Sequence, residues 1–503
     1  MVDDEPLVLR LNGRDVALAG LPPTATLLRA VRSRGLVGTK EGCGDGDCGA
    51  CTVVLADRGP DGAVTHRAVN SCLVPVGSVV GLDVVTVEGV AGPDGGLHPV
   101  QQAVVDCAGS QCGYCTPGFV MSMFAGFHDP AERGPDGVDP AVVEGNLCRC
   151  TGYTSIRRAC RRLGATDGGP DPTAAGAQVP AAGEDGGATV GPVAADRGPT
   201  AGTVTAAGRA FHRPTALADA LALLAQHPDA TVVAGGTDLG LELSHRTLDP
   251  EVVVSLEHVV ELLQLERTPN QLQVGAGVSL TRLEREAAGL LPALDEMLHW
   301  FAARQVRNRA TLGGNLGTAS PIGDLPPVLL ALDADVHLAG PDGPRTVAVA
   351  DYFTGYRQTL RRPGEVVTRV DLPLGPGPGA AVRLSRSYKV GKRGTDDISV
   401  VAAAFTVDLA ADGTVVHARF AYGGVAATPV RARAVEELLL GTRLDPGTVA
   451  RAAARLAEAF TPLDDLRASA AYRRRLVGSL FEKFCAEHAP PAGSQEPVPG
   501  AVA

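Results

Sequence analysis

The chain has 503 residues, of which 45% are hydrophobic and 20% charged, a composition typical of a globular protein with several buried cores. At roughly 100–200 residues per domain, this length predicts three or four domains. The net charge of −11 makes nucleic acid an unfavourable partner, since phosphate binding needs clustered lysine and arginine. The N-terminus lacks the features of a secretory signal, and no run approaches about 18 apolar residues. We therefore expect a cytoplasmic protein that does not span a membrane.

Residues 1–90 have the pattern of a small α+β domain. Alternating apolar residues over 7–18, interrupted by Asn12-Gly13, predict a β-hairpin with a tight turn. A short helix is expected next, with Thr24 as its N-terminal cap and Gly35 at its end.

The first group of cysteines lies in this domain. Eleven cysteines in a large chain without a signal peptide favour bound metal or reduced thiols over a disulfide framework. Cys43, Cys48 and Cys51 have C-x4-C-x2-C spacing, and Cys72 follows, which is the plant-type 2Fe–2S pattern. The surrounding glycines allow the backbone to curl around a cluster and direct N–H groups at its sulfur atoms. Zinc is a weaker alternative, because zinc sites more often use two C-x2-C pairs.

Residues 91–165 change to a helical period and form a second domain. Pro99 suits a first helical turn, and apolar faces predict helices over 119–127 and 155–163. Cysteines precede two of these helices in a C-x2-C and a C-x-C pair. A helix N-terminus stabilises thiolates and a negatively charged cluster, so these four residues are a second candidate metal site: Cys112, Cys115, Cys148 and Cys150. On spacing alone, zinc is nearly as good an explanation as iron and sulfide.

The three remaining cysteines match neither set. Cys107 lies on an apolar helix face, and Cys160 and Cys485 have no partner in the spacing pattern. Buried structural thiols are the better interpretation of all three.

The rest of the chain divides at changes of composition. Residues 166–208 contain no leucine, isoleucine or aromatic residue and are predicted to be a flexible linker. Strands and helices are expected from Phe211 onward, with a boundary at the Gly/Pro-rich stretch 375–379. The predicted domains are therefore 209–378 and 379–490, followed by a tail over 491–503.

Two Gly-rich loops lie in the third domain. Gly235-Gly236-Thr237-Asp238 follows a predicted strand, and Thr311-Leu312-Gly313-Gly314-Asn315 comes later, ahead of Asp324. Such loops let backbone N–H groups approach a pyrophosphate, although two ordinary tight turns explain the residues as well.

With both cysteine sets in view, residues 1–165 resemble the N-terminal half of the molybdenum hydroxylase family, with all eight cluster ligands present. The resemblance implies a multidomain α+β architecture. Its parts would be a plant-ferredoxin-like β-grasp 2Fe–2S domain, an all-helical 2Fe–2S domain, a vanillyl-alcohol-oxidase-type FAD domain, and an α+β C-terminal domain of the CO dehydrogenase flavoprotein type. It also implies that Gln111 and Cys150 lie near the pterin of a molybdenum cofactor on a partner subunit.

The same resemblance implies the flavin contacts, position by position. Phe301 is one of them, although a core position beside Trp300 explains it as well. The first loop has Gly236 and Asp238 where some relatives carry Asn and Glu. The implied FAD-binding residues are Gly235, Gly236, Thr237, Asp238, Phe301, Thr311, Gly314, Asn315, Asp324, Val367 and Lys389.

Within the family, two segments resemble xanthine dehydrogenases. Residues 352–359, with Tyr356, resemble a stretch near the nicotinamide site, and residues 388–399 resemble a mobile loop beside the flavin. A solvated charged loop explains the second segment equally well. Both cluster domains precede the FAD domain on one chain, as in the small subunits of bacterial xanthine dehydrogenases. The chain ends there, so we expect the molybdenum domain on a large partner subunit, in a heterotetramer or larger assembly.

The resemblance implies an electron relay during hypoxanthine and xanthine oxidation to urate. Electrons would pass from the partner's molybdenum to the helical-domain cluster, the ferredoxin-like cluster, FAD and then NAD. An aldehyde or CoA-thioester substrate, oxygen as the acceptor, and a bare electron-transfer module remain as alternatives.

Overall fold

The fold is described from a computed structural model, for residues 7–58, 63–92, 95–164, 201–394 and 396–488. The chain forms two compact units. The first contains residues 1–259 and 302–310, and the second contains residues 260–301 and 311–503. Most of the predicted linker and the whole predicted tail lie outside the described residues.

The first unit begins with a five-stranded sheet. Its elements are β1 (Leu7–Leu11), β2 (Arg14–Leu18), α1 (Leu27–Ser33), β3 (Thr52–Arg58), β4 (Val64–Asn70) and β5 (Asp83–Val85), with strand order β2-β1-β5-β3-β4. The predicted hairpin is present, with Leu7 opposite Leu18 and Asn12 at φ 50° in the turn. The helix cap differs from the prediction: Thr26, not Thr24, accepts the Arg29 N–H at the start of α1.

Helices dominate the next region of the first unit. They are α2 (Pro99–Asp106), α3 (Thr116–His128) and α4 (Thr154–Arg162), joined by the short hairpin β6 (Arg133–Gly134) and β7 (Gly137–Val138). Pro99 occupies the first turn of α2, as its sequence predicts. The cysteines lie at helix starts, and Cys115 is the N-cap residue of α3. This region is therefore helical apart from one two-stranded hairpin.

A second sheet completes most of the first unit. Its elements are β8 (Gly202–Ala206), β9 (Arg209–Arg213), α5 (Leu217–Gln226), β10 (Thr231–Val233), α6 (Leu239–His245) and β11 (Val252–Ser255), with order β10-β11-β9-β8. Strand β8 falls within the range predicted to be a linker. It forms because it pairs with all of β9, and because Val204 and Ala206 pack against the hydrophobic core of the first sheet.

The second unit begins with an antiparallel sheet flanked by helices. These elements are β12 (Leu265–Arg267), β13 (Gln271–Gly275), α7 (Leu280–Glu286), α8 (Pro292–Trp300), α10 (Leu312–Thr318), α11 (Leu325–Ala331), β14 (Asp335–Gly340), β15 (Gly343–Ala348), α12 (Val349–Tyr352), β16 (Phe353–Gly355), β17 (Gln358–Thr359) and β18 (Val366–Pro373). The sheet order is β12-β13-β18-β14-β15, and β16 pairs with β17. Helix α9 (Arg304–Arg307) belongs to the first unit.

The C-terminal part of the second unit is a four-stranded sheet covered by helices. It contains β19 (Val382–Val390), β20 (Val401–Leu409), β21 (Val415–Gly423), β22 (Val430–Arg431), α13 (Arg433–Leu439), α14 (Pro446–Glu458) and α15 (Ala470–His488). The strands follow in sequence order, and their core includes Phe405, Phe420, Phe481 and Phe484. Helix α15, the longest of the described helices, was not predicted.

Candidate cofactor-binding sites

The first four cysteines lie in two close pairs. The Sγ atoms of Cys51 and Cys72 are 3.3 Å apart. Cys43 and Cys48 are joined reciprocally, since the N–H of each donates to the other's Sγ over 3.3 Å. Two thiolates on one tetrahedral metal with bonds of about 2.3 Å are separated by about 3.8 Å. The Cys51 and Cys72 Sγ atoms are somewhat closer than this, so a small outward movement would let both bind one iron.

Each of these pairs also shares a proton. A hydrogen bond from the Cys48 thiol lowers the pKa of Cys43 to about 5, while the same interaction raises the pKa of Cys48. The second pair behaves in the same way: the hydrogen bond between Cys51 and Cys72 lowers the pKa of Cys51 and raises the pKa of Cys72. In each pair, the cysteine with the lowered pKa is the one that loses its proton more readily, and metal binding would displace the proton of the other.

The loop around Cys43 needs glycine. Gly46 has φ +80°, and a Cβ there would lie 2.4 Å from Leu73 Cδ1. The adjacent Asp45 N–H donates to Cys43 Sγ over 3.3 Å. The tight turn thus directs N–H groups at sulfur, which stabilises a thiolate cluster.

The second set of cysteines is more open. Cys150 Sγ lies 3.7 Å from both Cys112 Sγ and Cys148 Sγ, and Cys112 and Cys150 are exposed. Burial and a hydrogen bond with Cys148 raise the pKa of Cys115 to about 12. Burial also raises the pKa of Cys148, but hydrogen bonds from Thr151 outweigh it and bring the value to about 7. The structure therefore brings together all four predicted residues of this set.

The pairing of the thiols bears on the choice between zinc and iron. A structural zinc ion needs four ligands around one point. In the first set, Cys43 with Cys48 and Cys51 with Cys72 form two separate pairs, whereas in the second set Cys150 Sγ lies equally close to Cys112 Sγ and Cys148 Sγ. A 2Fe–2S cluster instead takes four thiolates, two on each iron, which suits paired cysteines.

The three other cysteines are buried, as predicted. Cys107, Cys160 and Cys485 are at most 4% exposed. Burial raises the pKa of Cys160 and of Cys485 to about 12, so both remain protonated thiols.

The predicted flavin residues of the first unit form one loop. Gly235, Gly236, Thr237 and Asp238 connect β10 to α6, with Asp238 as the N-cap residue. A Cβ on Gly235 would lie only 1.7 Å from the Arg309 carbonyl oxygen. Arg309 Nε donates to the Gly235 oxygen over 2.9 Å, and Arg309 Nη2 donates to Glu257 Oε2 over 2.9 Å. Arg309 therefore fixes the loop, a role that sequence reasoning missed.

The second predicted loop lies at the start of α10, in the second unit. Thr311 is the N-cap residue, and its Oγ1 accepts the Gly314 N–H over 2.9 Å. Asn315 Oδ1 is buried and has no hydrogen-bond partner within the described part of the chain. A buried polar oxygen without a partner is costly, so a bound ligand that donates to it would fit this loop.

Asp324 and Lys389, also in the second unit, form a buried ion pair. Lys389 Nζ lies 2.8 Å from Asp324 Oδ2 and 3.0 Å from the Trp300 carbonyl oxygen. Ser399 Oγ donates to Asp324 Oδ1 over 2.5 Å. Phe301 follows Trp300 and is partly exposed, whereas Val367 is buried in β18. The structure therefore joins Asp324 and Lys389 directly, through partners that the sequence did not indicate.

The predicted nicotinamide residue is accessible. Tyr356 lies in the turn between β16 and β17 and is 65% exposed. In the later charged loop, Asp397 accepts the Arg393 N–H over 2.8 Å. Burial raises the pKa of Asp397, but backbone hydrogen bonds, the one from Arg393 foremost, outweigh it and lower the net value. Thr395 lies outside the described residues.

Four family models match the chain. They are a 2Fe–2S iron–sulfur cluster binding domain over residues 9–77 and a [2Fe–2S] binding domain over 86–161. An FAD binding domain in molybdopterin dehydrogenase covers 205–375, and a CO dehydrogenase flavoprotein C-terminal domain covers 386–488. These matches confirm the predicted fold class.

Curated relatives match nearly the whole chain. Xanthine dehydrogenase of Drosophila pseudoobscura pseudoobscura is 34% identical over an alignment 538 positions long with its gaps, which covers 95% of this chain and 39% of that protein. Xanthine dehydrogenase 1 of Arabidopsis thaliana is 34% identical over 478 residues, covering 83% and 34%. The chain thus spans less than half the length of these relatives.

Solved structures match over about half of the chain. A carbon monoxide dehydrogenase chain from Hydrogenophaga pseudoflava has a TM-score of 0.51 and 31% identity, with 54% of this chain and 94% of that chain covered. A quinoline 2-oxidoreductase chain from Pseudomonas putida 86 has a TM-score of 0.51 and 30% identity, with 55% and 95% covered.

Among the described helices, none combines the length and the apolar character needed to cross a bilayer.

Proposed function

The chain belongs to the molybdenum hydroxylase family of oxidoreductases, and from this premise we propose that it is the iron–sulfur and flavin subunit of a xanthine dehydrogenase. Two 2Fe–2S domains and an FAD-binding domain are present on one chain. When bound, such clusters transfer single electrons, and FAD links single-electron transfer to a two-electron acceptor such as NAD. The activity is then electron transfer away from a molybdenum centre.

The eight cysteines, brought together in two sets of four, are the observation that carries this proposal. Cys43 with Cys48, and Cys51 with Cys72, would hold the first cluster, and the more exposed second set would hold the other. The backbone N–H groups of Asp45 and Cys48 would stabilise the negative charge at Cys43. The exposed second cluster is the one suited to receive electrons from outside the chain.

The flavin residues would act by binding and orienting FAD. The loop at Gly235 would offer backbone N–H groups to a phosphate of the cofactor. In the loop at Thr311, the Gly314 N–H is bonded to Thr311 Oγ1, so the group that would meet the cofactor there is Asn315 Oδ1. Lys389 and Asp324, paired in the interior of their unit, would present a fixed charge pair to the cofactor. All eleven positions implied by the family resemblance stay in this proposal as FAD contacts.

NAD is proposed as the acceptor and a purine as the substrate. The exposed Tyr356 supports a nicotinamide site, and the names of the curated relatives support xanthine. The molybdenum cofactor is assigned to a large partner subunit in a heterotetramer or larger assembly. A different substrate is the second candidate, because a quinoline-oxidising enzyme also matches at 30% identity.

The first experiment measures iron, sulfide, zinc and flavin in the purified chain. The expected result is about four irons, about four sulfides and one FAD per chain, with an absorption spectrum that bleaches on reduction. Zinc in place of iron, without flavin, would contradict the proposal.

The second part of the test uses Cys43→Ser in the complex with the partner. Substrate oxidation with an artificial acceptor at molybdenum is expected to persist, while NAD-linked turnover is lost. Full NAD-linked turnover in this variant would exclude the relay.

Reduction of a dye by NADH in the isolated chain separates a nicotinamide-using subunit from a bare electron-transfer module. A bare module should show no dye reduction.

A further inference from the structure

The backbones of the two cysteine sets of the first unit approach each other closely. A Cβ on Gly49, between Cys48 and Cys51, would lie 2.2 Å from the Gly145 carbonyl oxygen. A Cβ on Gly118, in the first turn of α3, would lie 2.3 Å from the Gly49 carbonyl oxygen. Side chains are excluded at both positions, so the loop of the first set touches two segments of the second domain directly.

A backbone hydrogen bond crosses this contact. The Leu147 N–H donates to the Cys48 carbonyl oxygen over 3.0 Å. Cys48 belongs to the first set, and Leu147 is adjacent to Cys148 of the second set. One hydrogen bond and a short run of covalent bonds therefore connect a predicted ligand of one cluster to a predicted ligand of the other.

A fully buried amide holds the contact together. Asn146, 1% exposed, donates from Nδ2 to the Gly49 oxygen over 2.9 Å and to Thr52 Oγ1 over 3.2 Å. Its Oδ1 accepts from Ser122 Oγ over 2.7 Å and from Gln305 Nε2 over 3.0 Å. Both N–H groups and both lone pairs of the amide are used, which leaves one orientation.

We propose that Asn146 is a positioning residue that sets the gap between the two clusters and hence the rate of electron transfer across it. The inference rests on the proposed function, because it requires that both cysteine sets hold 2Fe–2S clusters. Asn146 acts through the Gly49 carbonyl and the Cys48–Leu147 hydrogen bond. Electron tunnelling falls exponentially with the gap, and magnetic coupling between two reduced clusters falls with its third power. A small movement of the Gly49 loop is therefore measurable in both quantities.

The test compares Asn146→Ala with Asn308→Ala in the full chain, kept in its complex if it purifies as one. Asn308 is a matched control, a buried amide of the same unit that donates to the Ala68 carbonyl over 2.8 Å, in β4 and outside the cysteine loops. Both variants should lose stability, since each removes a buried hydrogen bond, and in Asn146→Ala the Gly49 carbonyl keeps only its bonds from Thr52. Only Asn146→Ala should reduce the splitting that magnetic interaction produces in the electron paramagnetic resonance spectrum of the fully reduced protein. Electron transfer between the clusters should slow several-fold in the same variant.

Ser122→Ala provides a milder change if Asn146→Ala does not fold. It removes one of the two bonds to Asn146 Oδ1 and leaves the contact with Gly49. A smaller loss of splitting than in Asn146→Ala is expected. The inference would be overturned if the folded variants contained as much iron as the unsubstituted chain and showed the same splitting. If the unsubstituted chain itself lacked two cluster signals, the proposed function would fail instead, and iron analysis distinguishes the two failures.

Discussion

At the scale of single residues, paired charges stabilise the second unit from within. Glu365 is 4% exposed and accepts two hydrogen bonds of 2.7 Å from Arg345 and one of 2.6 Å from the Arg362 N–H. Arg345 also donates to the Leu360 carbonyl oxygen, close in sequence to the hairpin that presents Tyr356. The interaction with Arg345, followed by the other hydrogen bonds, lowers the pKa of Glu365 to about 2.

Glu365 should therefore make stability depend on acid pH. Its folded pKa lies below the ordinary value of 4.5, so its stabilisation is fully present above about 4.5 and is lost as the pH falls toward about 2. Glu365→Gln should lower the free energy of unfolding at neutral pH by about 2–3 kcal/mol and flatten its dependence on pH below 4.5. Denaturant unfolding measured across this range tests both effects.

Asp342→Asn is the control for Glu365→Gln. Asp342 pairs with Arg362 at the surface, where both side chains are more than half exposed. Such pairs contribute at most about 1 kcal/mol, so this variant should unfold like the unsubstituted protein. If Asp342→Asn and Glu365→Gln lowered the free energy of unfolding equally, the importance assigned to the burial of Glu365 would be contradicted.

At the scale of elements, the turn from β10 into α6 is restricted most strongly at Gly235. Alanine there would place Cβ 1.7 Å from the Arg309 oxygen, so the loop would have to move. The FAD content of Gly235→Ala should be lower than that of the unsubstituted protein by several-fold or more, while its iron and sulfide contents stay the same. The ratio of flavin to iron in the purified protein measures this, with Gly134→Ala as the control, because no atom lies within 4 Å of a Cβ at Gly134. A normal ratio in Gly235→Ala would remove this loop from the FAD site.

Short-range patterns explain which elements could be predicted from the sequence. The hairpin at Asn12 and the start of α2 at Pro99 depend on neighbouring residues, and the structure agrees with both predictions. Helix α15 depends instead on packing of Phe481 and Phe484 against strands distant in sequence. Strand β8 likewise exists through its pairing with β9.

The same distinction applies to the candidate sites. The eight cysteines follow from spacing, whereas Arg309 and Asn146 act on residues 74 and 97 positions away. No local pattern identifies such contacts. The Thr24 cap prediction failed for a different reason. Thr26, two residues later, is an equally good cap, and the carbonyl of the intervening Ala25 accepts the Val76 N–H over 2.8 Å.

At the scale of the whole molecule, the two cysteine sets differ in exposure. Cys51 and Cys72 are at most 2% exposed, whereas Cys112 and Cys150 are exposed. In the isolated chain, an iron chelator should therefore remove about half of the iron in a fast phase and the rest much more slowly. The measurement follows iron release over time and uses electron paramagnetic resonance to identify which cluster remains after the fast phase.

Cys112→Ser is the matched variant for this measurement. It should abolish the fast phase and leave the slow one, since only the second set loses a ligand. Loss of iron in a single phase from the unsubstituted chain would contradict the difference in exposure.

The contact between α6 and the first cysteine domain restricts how this chain can be recombined with its relatives. A Cβ on Gly240 would lie 2.3 Å from the carbonyl oxygen of Leu73, the residue after Cys72. The helix that follows the Gly235 loop thus rests on the backbone beside a cysteine of the first set. A chimaera that exchanges the ferredoxin-like domain has to keep glycine at position 240 and the same backbone path at position 73. A graft that does not keep this close approach has to exchange both surfaces as a single block.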